Sequence, residues 1–193
     1  VTCGMYDAAG DWVSAVGMPA KSGVGGGIVA VLPGQLGIGV YSPLLDPKGN
    51  SVRGVLLCRS LSERLGLHFL TVSRESRSTI RAIYEPIDRV RVYELHGDLM
   101  FAGAEQVART VDRDGDDFAV AVLDVTRVDT INDAARALLA GMSVSLSADG
   151  RRGLVVDPDA AVIRPGRGYD DRVFTTVEDA VDAARDWLRA NPA

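Results

Sequence analysis

Between Pro19 and Gly27 the chain reads P-A-K-S-G-V-G-G-G, and no other stretch limits its fold so tightly. A lysine, a small hydroxyl and a glycine are followed by three more glycines. Where Cβ atoms are missing, a ligand or a second backbone can come close to the main chain, which is how an anion cradle or an oxyanion hole is built. The same composition also permits a glycine-rich turn between two strands. The text around it is strand-like: Gly27 to Leu32 is an apolar run closed by Pro33-Gly34, and Gly37 to Tyr41 follows as a further strand. Upstream, Asp7 to Asp11 reads as a turn and Trp12 to Val16 as a strand, so residues from Met5 to Val40 are expected to form an antiparallel meander. Such a meander cannot stand alone in water, because its edges and single apolar face need cover. One helix is expected to supply it. Asn50 or Ser51 suits an N-cap, Val52, Val55, Leu56, Leu61 and Leu65 recur near the helical period, and Gly66 marks the stop. Asp46-Pro47-Lys48-Gly49 has the chemistry of a turn before it.

A chain of 193 residues can bury a core as one large domain or two small ones. Its net charge of -5 argues against a nucleic-acid partner, whose phosphates select a basic excess. No window reaches the roughly 18 uninterrupted apolar residues of a membrane span, and no signal-like region opens the chain, so a cytoplasmic protein without a membrane partner is expected. Cys3 and Cys58 give neither a disulfide framework nor a metal quartet and read as small buried apolar residues. His68 and His96 lie too far apart in sequence to suggest a metal pair, and no cofactor is expected. Lysine occurs only at positions 21 and 48 in an arginine-rich chain, which makes Lys21 conspicuous.

Three blocks carry a resemblance: C-G-M-Y-D at Cys3 to Asp7, G-M-P-A-K-S-G-V-G-G-G at Gly17 to Gly27, and S-P-L-L-D-P-K-G-N-S-V-R-G at Ser42 to Gly54. In this order and spacing, the run from Thr2 to Phe69 resembles the C-terminal part of the serine-dependent glutaminases, which have the β-lactamase and penicillin-binding-protein fold. The resemblance implies an α+β piece, a partial β-lactamase-like sheet with one helix, and a family reaction that converts L-glutamine and water to L-glutamate and ammonia. It also implies roles. Tyr6 matches the tyrosine that reaches the glutamine and the nucleophile, passing a proton or donating a hydrogen bond. The Val24 N–H matches the second oxyanion donor, with the Val24 side chain read as a strand residue packed inward. Lys21 and Ser22 match the lysine and hydroxyl of the K-S/T-G triplet. Asp46, Asn50 and Ser51 match the third block, where turn and cap roles are expected. One departure is decisive for activity. The family nucleophile stands in a Ser-x-x-Lys motif, but here Met18 lies three positions before Lys21 and Leu45 three before Lys48. The likeness starts abruptly at residue 1, so a fragment without its nucleophile, inactive by itself, is expected.

From Thr71 to Arg81 the text turns polar, and residues 73–84 read as a linker between a part over 1–72 and a domain over 85–193. From Val90 strands and helices alternate: strand Val90 to Leu95, helix near Ala102 to Val111, a solvated charged turn from Asp112 to Asp117, strand Phe118 to Val125, helix Asn132 to Leu146, strand Leu154 to Val156, and helix Val177 to Ala190. That order implies a parallel sheet with crossovers. V-R-V-Y-E-L-H-G-D-L-M-F-A-G-A-E and A-V-L-D-V-T-R-V-D-T-I-N-D-A-A-R-A-L-L, within Ile83 to Arg189, resemble the STAS domain of anti-sigma-factor antagonists and sulfate transporters. The resemblance implies an α/β docking domain. Asn132-Asp133-Ala134 stands where switchable members carry a phospho-acceptor, Asp133 leaves a fixed negative charge at a helix start, and Thr130 reads as a cap or turn residue. The expected partners are L-glutamine, a second copy in a homo-oligomer, and a protein bound through the STAS domain. The competing reading is a non-catalytic STAS interaction protein carrying a vestigial glutaminase remnant.

Overall fold

Two stretches of chain, Val1–Glu75 and Ser76–Ala193, form separate compact units in the computed structural model. The structure describes residues 4–33, 35–70, 79–160 and 170–192. The expectations for Cys3, for Gly34 and for linker residues 73–78 lie outside the described residues.

In the first unit a 3-10 turn, Tyr6–Ala8, runs into helix α1, Ala9–Ala15. The strand expected from Trp12 is therefore helical. Trp12 and Val16 are buried four positions apart, and the Trp12 indole Nε1–H donates to the Met18 carbonyl at 2.7 Å, which secures the exit from the helix. Strands β1 (Ala20–Ser22), β2 (Gly27–Leu32) and β3 (Leu36–Tyr41) then form an antiparallel sheet in sequence order. In β2 the alternation is strict: Ile28, Ala30 and Leu32 are buried, while Val29 and Val31 face out.

Helix α2 (Val52–Leu65) covers the buried face. Its buried stripe is Gly54, Cys58 and Ser62, small residues four apart that let the axis come close to the sheet. A Cβ on Gly54 would stand 3.1 Å from Ile28 Cδ1. Ser51 is the N-cap: its hydroxyl accepts from the Gly54 N–H at 3.2 Å and donates to the Ser42 carbonyl at 2.7 Å. Gly66 ends the helix in the left-handed conformation, φ 68°. Among its described residues the unit thus has two α-helices rather than one.

The second unit holds a five-stranded sheet in the order β4 (Ile80–Ile87), β5 (Val90–Leu99), β6 (Val120–Ile131), β7 (Arg152–Val156), β8 (Val173–Phe174). The first pair is antiparallel and the rest are parallel. Helices α3 (Phe101–Arg113) and α4 (Asp133–Ala148) make the crossovers that bury Tyr93, Leu95, Leu123 and Val155. On the opposite face Ala180 and Ala184 of α5 (Val177–Ala190) close over Val90, Val92, Val122 and Leu154. Burial on both faces explains why Val120 to Leu123 of β6 and Leu154 to Val156 of β7 read as unbroken apolar runs.

Three expectations are corrected here. Residues 80–84 are strand, not linker; β4 is an edge strand with Arg81, Ile83, Tyr84 and Glu85 exposed, so its text looks polar. Asp114 is not solvated: its carboxylate accepts from the Tyr93 hydroxyl at 2.8 Å and lies 3.3 Å from Arg91. Burial, with Asp114 alongside, pushes the Tyr93 phenol above its ordinary range. Thr130 is neither cap nor turn, since it lies inside β6 and donates to Asp98 at 2.6 Å, while Asn132 caps α4 by accepting from the Ala135 N–H at 2.8 Å.

Ser51→Ala removes both a cap and a tertiary hydrogen bond, and is expected to destabilise the first unit by about 1–2 kcal/mol, read from denaturant unfolding of the whole chain. In the second unit burial alone would raise the Glu94 carboxyl, but hydrogen bonds and charge from Arg81 and Arg127 outweigh it and hold Glu94 below the usual carboxylate range. Its stabilising contribution is therefore present above the unfolded value of about 4.3 and lost as pH falls through the lower folded value. The stability gap between the native chain and Glu94→Gln should accordingly narrow between pH 6 and pH 3, measured by urea midpoints.

Candidate active site

The site is assembled by a close approach of backbones. The Ser22 N–H donates to the Gly4 carbonyl at 2.7 Å, so residues 4–6 run along the outer edge of β1. Only glycine fits there, because a Cβ on Gly4 would meet the Ala20 carbonyl oxygen at 1.7 Å. Tyr6 follows with φ 52°, a left-handed conformation that a side chain rarely adopts. Its hydroxyl donates to the Ser22 carbonyl at 3.3 Å, and the Lys21 ammonium sits 4.8 Å from the ring centroid while donating to the same carbonyl. A cation in that position is attracted by the ring quadrupole with about 0.5–1 kcal/mol. The phenol stays partly open, 38% exposed.

Beyond β1 the chain turns. Gly23 N–H donates to the Gly27 carbonyl and Gly26 N–H to the Gly23 carbonyl, each at 2.9 Å. Gly26 takes φ 96°, and a Cβ there would strike the Ser42 carbonyl oxygen at 2.3 Å. Val24 occupies the first corner of this turn. It is not an inward strand residue: its side chain is 75% exposed, and its N–H makes no hydrogen bond among the described residues. Four glycines in the five residues Gly23 to Gly27 were the signal for a turn there.

The structure therefore brings Tyr6, Lys21 and the Ser22 main chain together, with the Val24 N–H in the adjoining turn. The Ser22 side chain goes elsewhere. Ser22 pairs with buried Ile28 and Lys21 with exposed Val29, so the two side chains leave opposite faces of the sheet. The Ser22 hydroxyl is wholly buried and has no hydrogen-bond partner among the described residues. In the third block Asp46 Oδ1 accepts from the Lys48 and Asn50 N–H groups, each at 2.9 Å, closing the turn. Asn50 does more than cap or turn: its Nδ2 donates to the Met5 carbonyl at 3.2 Å and ties the residue before Tyr6 to the start of α2. Sequence reasoning missed this use of Asn50 and the steric role of Gly4. Their presence inside the shared blocks was the available signal.

A cleft of about 340 Å³ lies nearby, lined by Met5, Trp12, Val16, Pro47 and Val55, with the Lys48–Asp11 ion pair at 3.2 Å among its wall residues. Its lining includes none of Tyr6, Lys21, Ser22 or Val24. Among the described residues no group of three or more His, Cys, Asp or Glu side chains is placed to hold a metal ion, and no helix is long and apolar enough to cross a membrane. Chemically, a phenol, an ammonium and an unengaged main-chain N–H can all stabilise negative charge that develops on a bound carbonyl oxygen.

Residues 1–70 match the family model described as Glutaminase. The glutaminase of Corynebacterium glutamicum is 38% identical over 158 residues, which cover 82% of this chain and 38% of that protein. The glutaminase of Microcystis aeruginosa is 64% identical over 77 residues, 40% of this chain and 23% of its own length. A solved structure described as "Crystal Structure Analysis of Mglu" shares 45% identity at a TM-score of 0.43, covering 81% of this chain and 39% of that chain. This chain thus spans less than half the length of the curated relatives it matches. A match over 82% of the chain cannot be contained in residues 1–75, so the likeness to the Corynebacterium protein reaches into the second unit. Over its first seventy residues the chain is thus similar to the glutaminases.

Proposed function

We propose that the first unit forms one wall of a site that hydrolyses L-glutamine to L-glutamate and ammonia. The observation that carries this reading is the pairing of Ser22 with Gly4, which holds the Tyr6 phenol and the Lys21 ammonium beside a turn whose Val24 N–H is unengaged among the described residues. Attack on the glutamine amide passes through a tetrahedral oxyanion, and the Val24 N–H stabilises it by about 3 kcal/mol, as a preorganised donor does. Tyr6 relays a proton or holds the nucleophile by hydrogen bond. Lys21 adds positive potential beside the phenol, and Ser22 contributes its carbonyl rather than its hydroxyl. The serine nucleophile and its lysine base come from glutaminase sequence outside these 193 residues, since neither Lys21 nor Lys48 follows a serine by three positions. The second unit is read as a STAS-like docking domain. Its antiparallel hairpin followed by parallel β-α repeats supports this, as does the exposed Asp133 carboxylate in the first turn of α4.

Incubated with glutamine, the chain alone is expected to release no ammonia above background. Joined to the upstream part of the Corynebacterium glutamicum glutaminase, it is expected to turn over. In that fusion Tyr6→Phe should cost about 10²–10⁴-fold in kcat, and Val24→Pro about 10²–10³-fold. Val24 is at the first corner of a β-turn, where proline is favoured, so that substitution deletes the N–H and keeps the turn. Full activity in both variants would overturn the assignment.

A further inference from the structure

The turn before α2 closes without any side chain at position 50. Asp46 Oδ1 accepts from the Lys48 and Asn50 N–H groups, the Asp46 N–H donates to the Asn50 carbonyl at 2.8 Å, and the Gly49 N–H donates to the Asp46 carbonyl at 3.0 Å. The helix that follows is capped by Ser51. Local structure thus has no use for the Asn50 carboxamide, yet that side chain is wholly buried. It makes one bond, from Nδ2 to the Met5 carbonyl 45 residues earlier in the chain, and its Oδ1 has no hydrogen-bond partner among the described residues. Since a carbonyl can only accept, that contact fixes which end of the amide faces Met5. One such bond contributes about 1 kcal/mol net, and a buried oxygen left unpaired costs about 1–3 kcal/mol. For stability alone an asparagine here gains nothing over an apolar side chain of its size. Its value lies in where it holds Met5.

The Met5 carbonyl and the Tyr6 N–H belong to one rigid peptide plane. The φ of Tyr6 is the rotation of its Cα against that plane, and it stands at 52°, in a region that costs a side chain about 1–2 kcal/mol. Without an anchor the plane would swing back toward an ordinary negative φ and carry the ring with it. Two donors hold the carbonyl: the Ala8 N–H at 3.1 Å, from within the same 3-10 turn, and Asn50 Nδ2 at 3.2 Å. Of the two, only Asn50 ties the plane to another element. The turn that carries Asn50 also supports the ring. A Cβ on Gly49, φ 85°, would stand 3.7 Å from Tyr6 Cε2, so the bare Gly49 backbone lies beside the ring edge, while the Lys21 ammonium is 4.8 Å from the ring centroid.

We propose that Asn50 is a positioning residue for glutamine hydrolysis. It touches neither substrate nor nucleophile; it acts on Tyr6 through the Met5 carbonyl, and so holds the phenol at the place from which it relays a proton. The inference rests on the glutaminase reading of Tyr6. Asn50 and Met5 are 0% and 2% exposed within the unit, so their contact does not depend on chain outside these residues. The chemistry at position 50 is restrictive. A neutral donor is required, because an ionised carboxylate would be repelled by the Met5 carbonyl and an apolar side chain would offer that carbonyl nothing.

In the fusion to the upstream part of the Corynebacterium glutamicum glutaminase, Asn50→Leu should lower kcat roughly 10–10²-fold, as a misplacement of about an ångström does, and leave KM within about threefold. In a Tyr6→Phe background the same substitution should cost less than about twofold more, because the group it positions is gone. Asn50→Asp should restore function in a pH-dependent way. A buried carboxyl beside Asp46 is driven toward its neutral form, whose O–H donates to the Met5 carbonyl as the amide does, so the kcat of this variant relative to the native residue should rise as pH falls from about 8 to about 5.5. In the chain alone, without turnover, the Ala8 amide should exchange at least about tenfold faster in Asn50→Leu. Should urea midpoints show Asn50→Leu to be unfolded, the same cycle run with Asn50→Asp at about pH 8 decides. Equal losses in both backgrounds, a rise in KM with kcat unchanged, a ratio for Asn50→Asp that is flat with pH, or unchanged Ala8 exchange would each overturn the role of Asn50. Full activity in Tyr6→Phe alone is a different result: it removes the glutaminase reading, and this role with it.

Discussion

The contact between Gly4 and strand β1 is the constraint on which the first unit depends. A main chain laid against a three-residue strand can be held only if nothing intervenes, and at 1.7 Å from the Ala20 carbonyl not even a methyl group is admissible. That approach fixes the next residues. Met5 is buried and its carbonyl is taken by Asn50, so Tyr6 is gripped by β1 on one side and by the start of α2 on the other. A tyrosine in the left-handed region costs about 1–2 kcal/mol and persists only when its surroundings over-determine it. Here the surroundings do. The Lys21 ammonium against the ring and the Ser22 carbonyl at its hydroxyl complete a phenol whose position is set before any ligand arrives.

The two units solve the problem of covering a sheet differently. In the second, helices lie on both faces of the central strands, where Val90, Val92, Tyr93, Leu95, Val122, Leu123, Leu154 and Val155 are buried. In the first, α2 covers only the face that holds Ile28 and Ala30, using a small-residue stripe for close approach. The other face keeps Val29, Val31 and Tyr41 in solvent. A sheet covered on one side leaves apolar surface that only further chain can cover.

Much of this was legible in the sequence where local chemistry and packing agree. Helix α2 announces itself through Ser51 and Gly66, and α5 was legible as a helix from Val177 to Ala190; the structure adds its cap, the Thr176 hydroxyl, which accepts from the Asp179 N–H at 3.1 Å. The buried first half of β6 and strand β7 show as apolar runs. The failures have physical causes. Helix α1 has only seven residues, with Gly10, Trp12 and Val13 among them, so propensity pointed to a strand while the burial of Trp12 four residues from Val16 decided otherwise. Strand β4 was hidden by its edge position, and Asp114 by a partner, Tyr93, that is 21 residues away. At the site, Tyr6 and Lys21, both named by the resemblance, lie side by side at the β1 edge. It could not say that the Ser22 hydroxyl leaves by the other face or that Val24 points to solvent, because register and turn geometry are long-range outcomes.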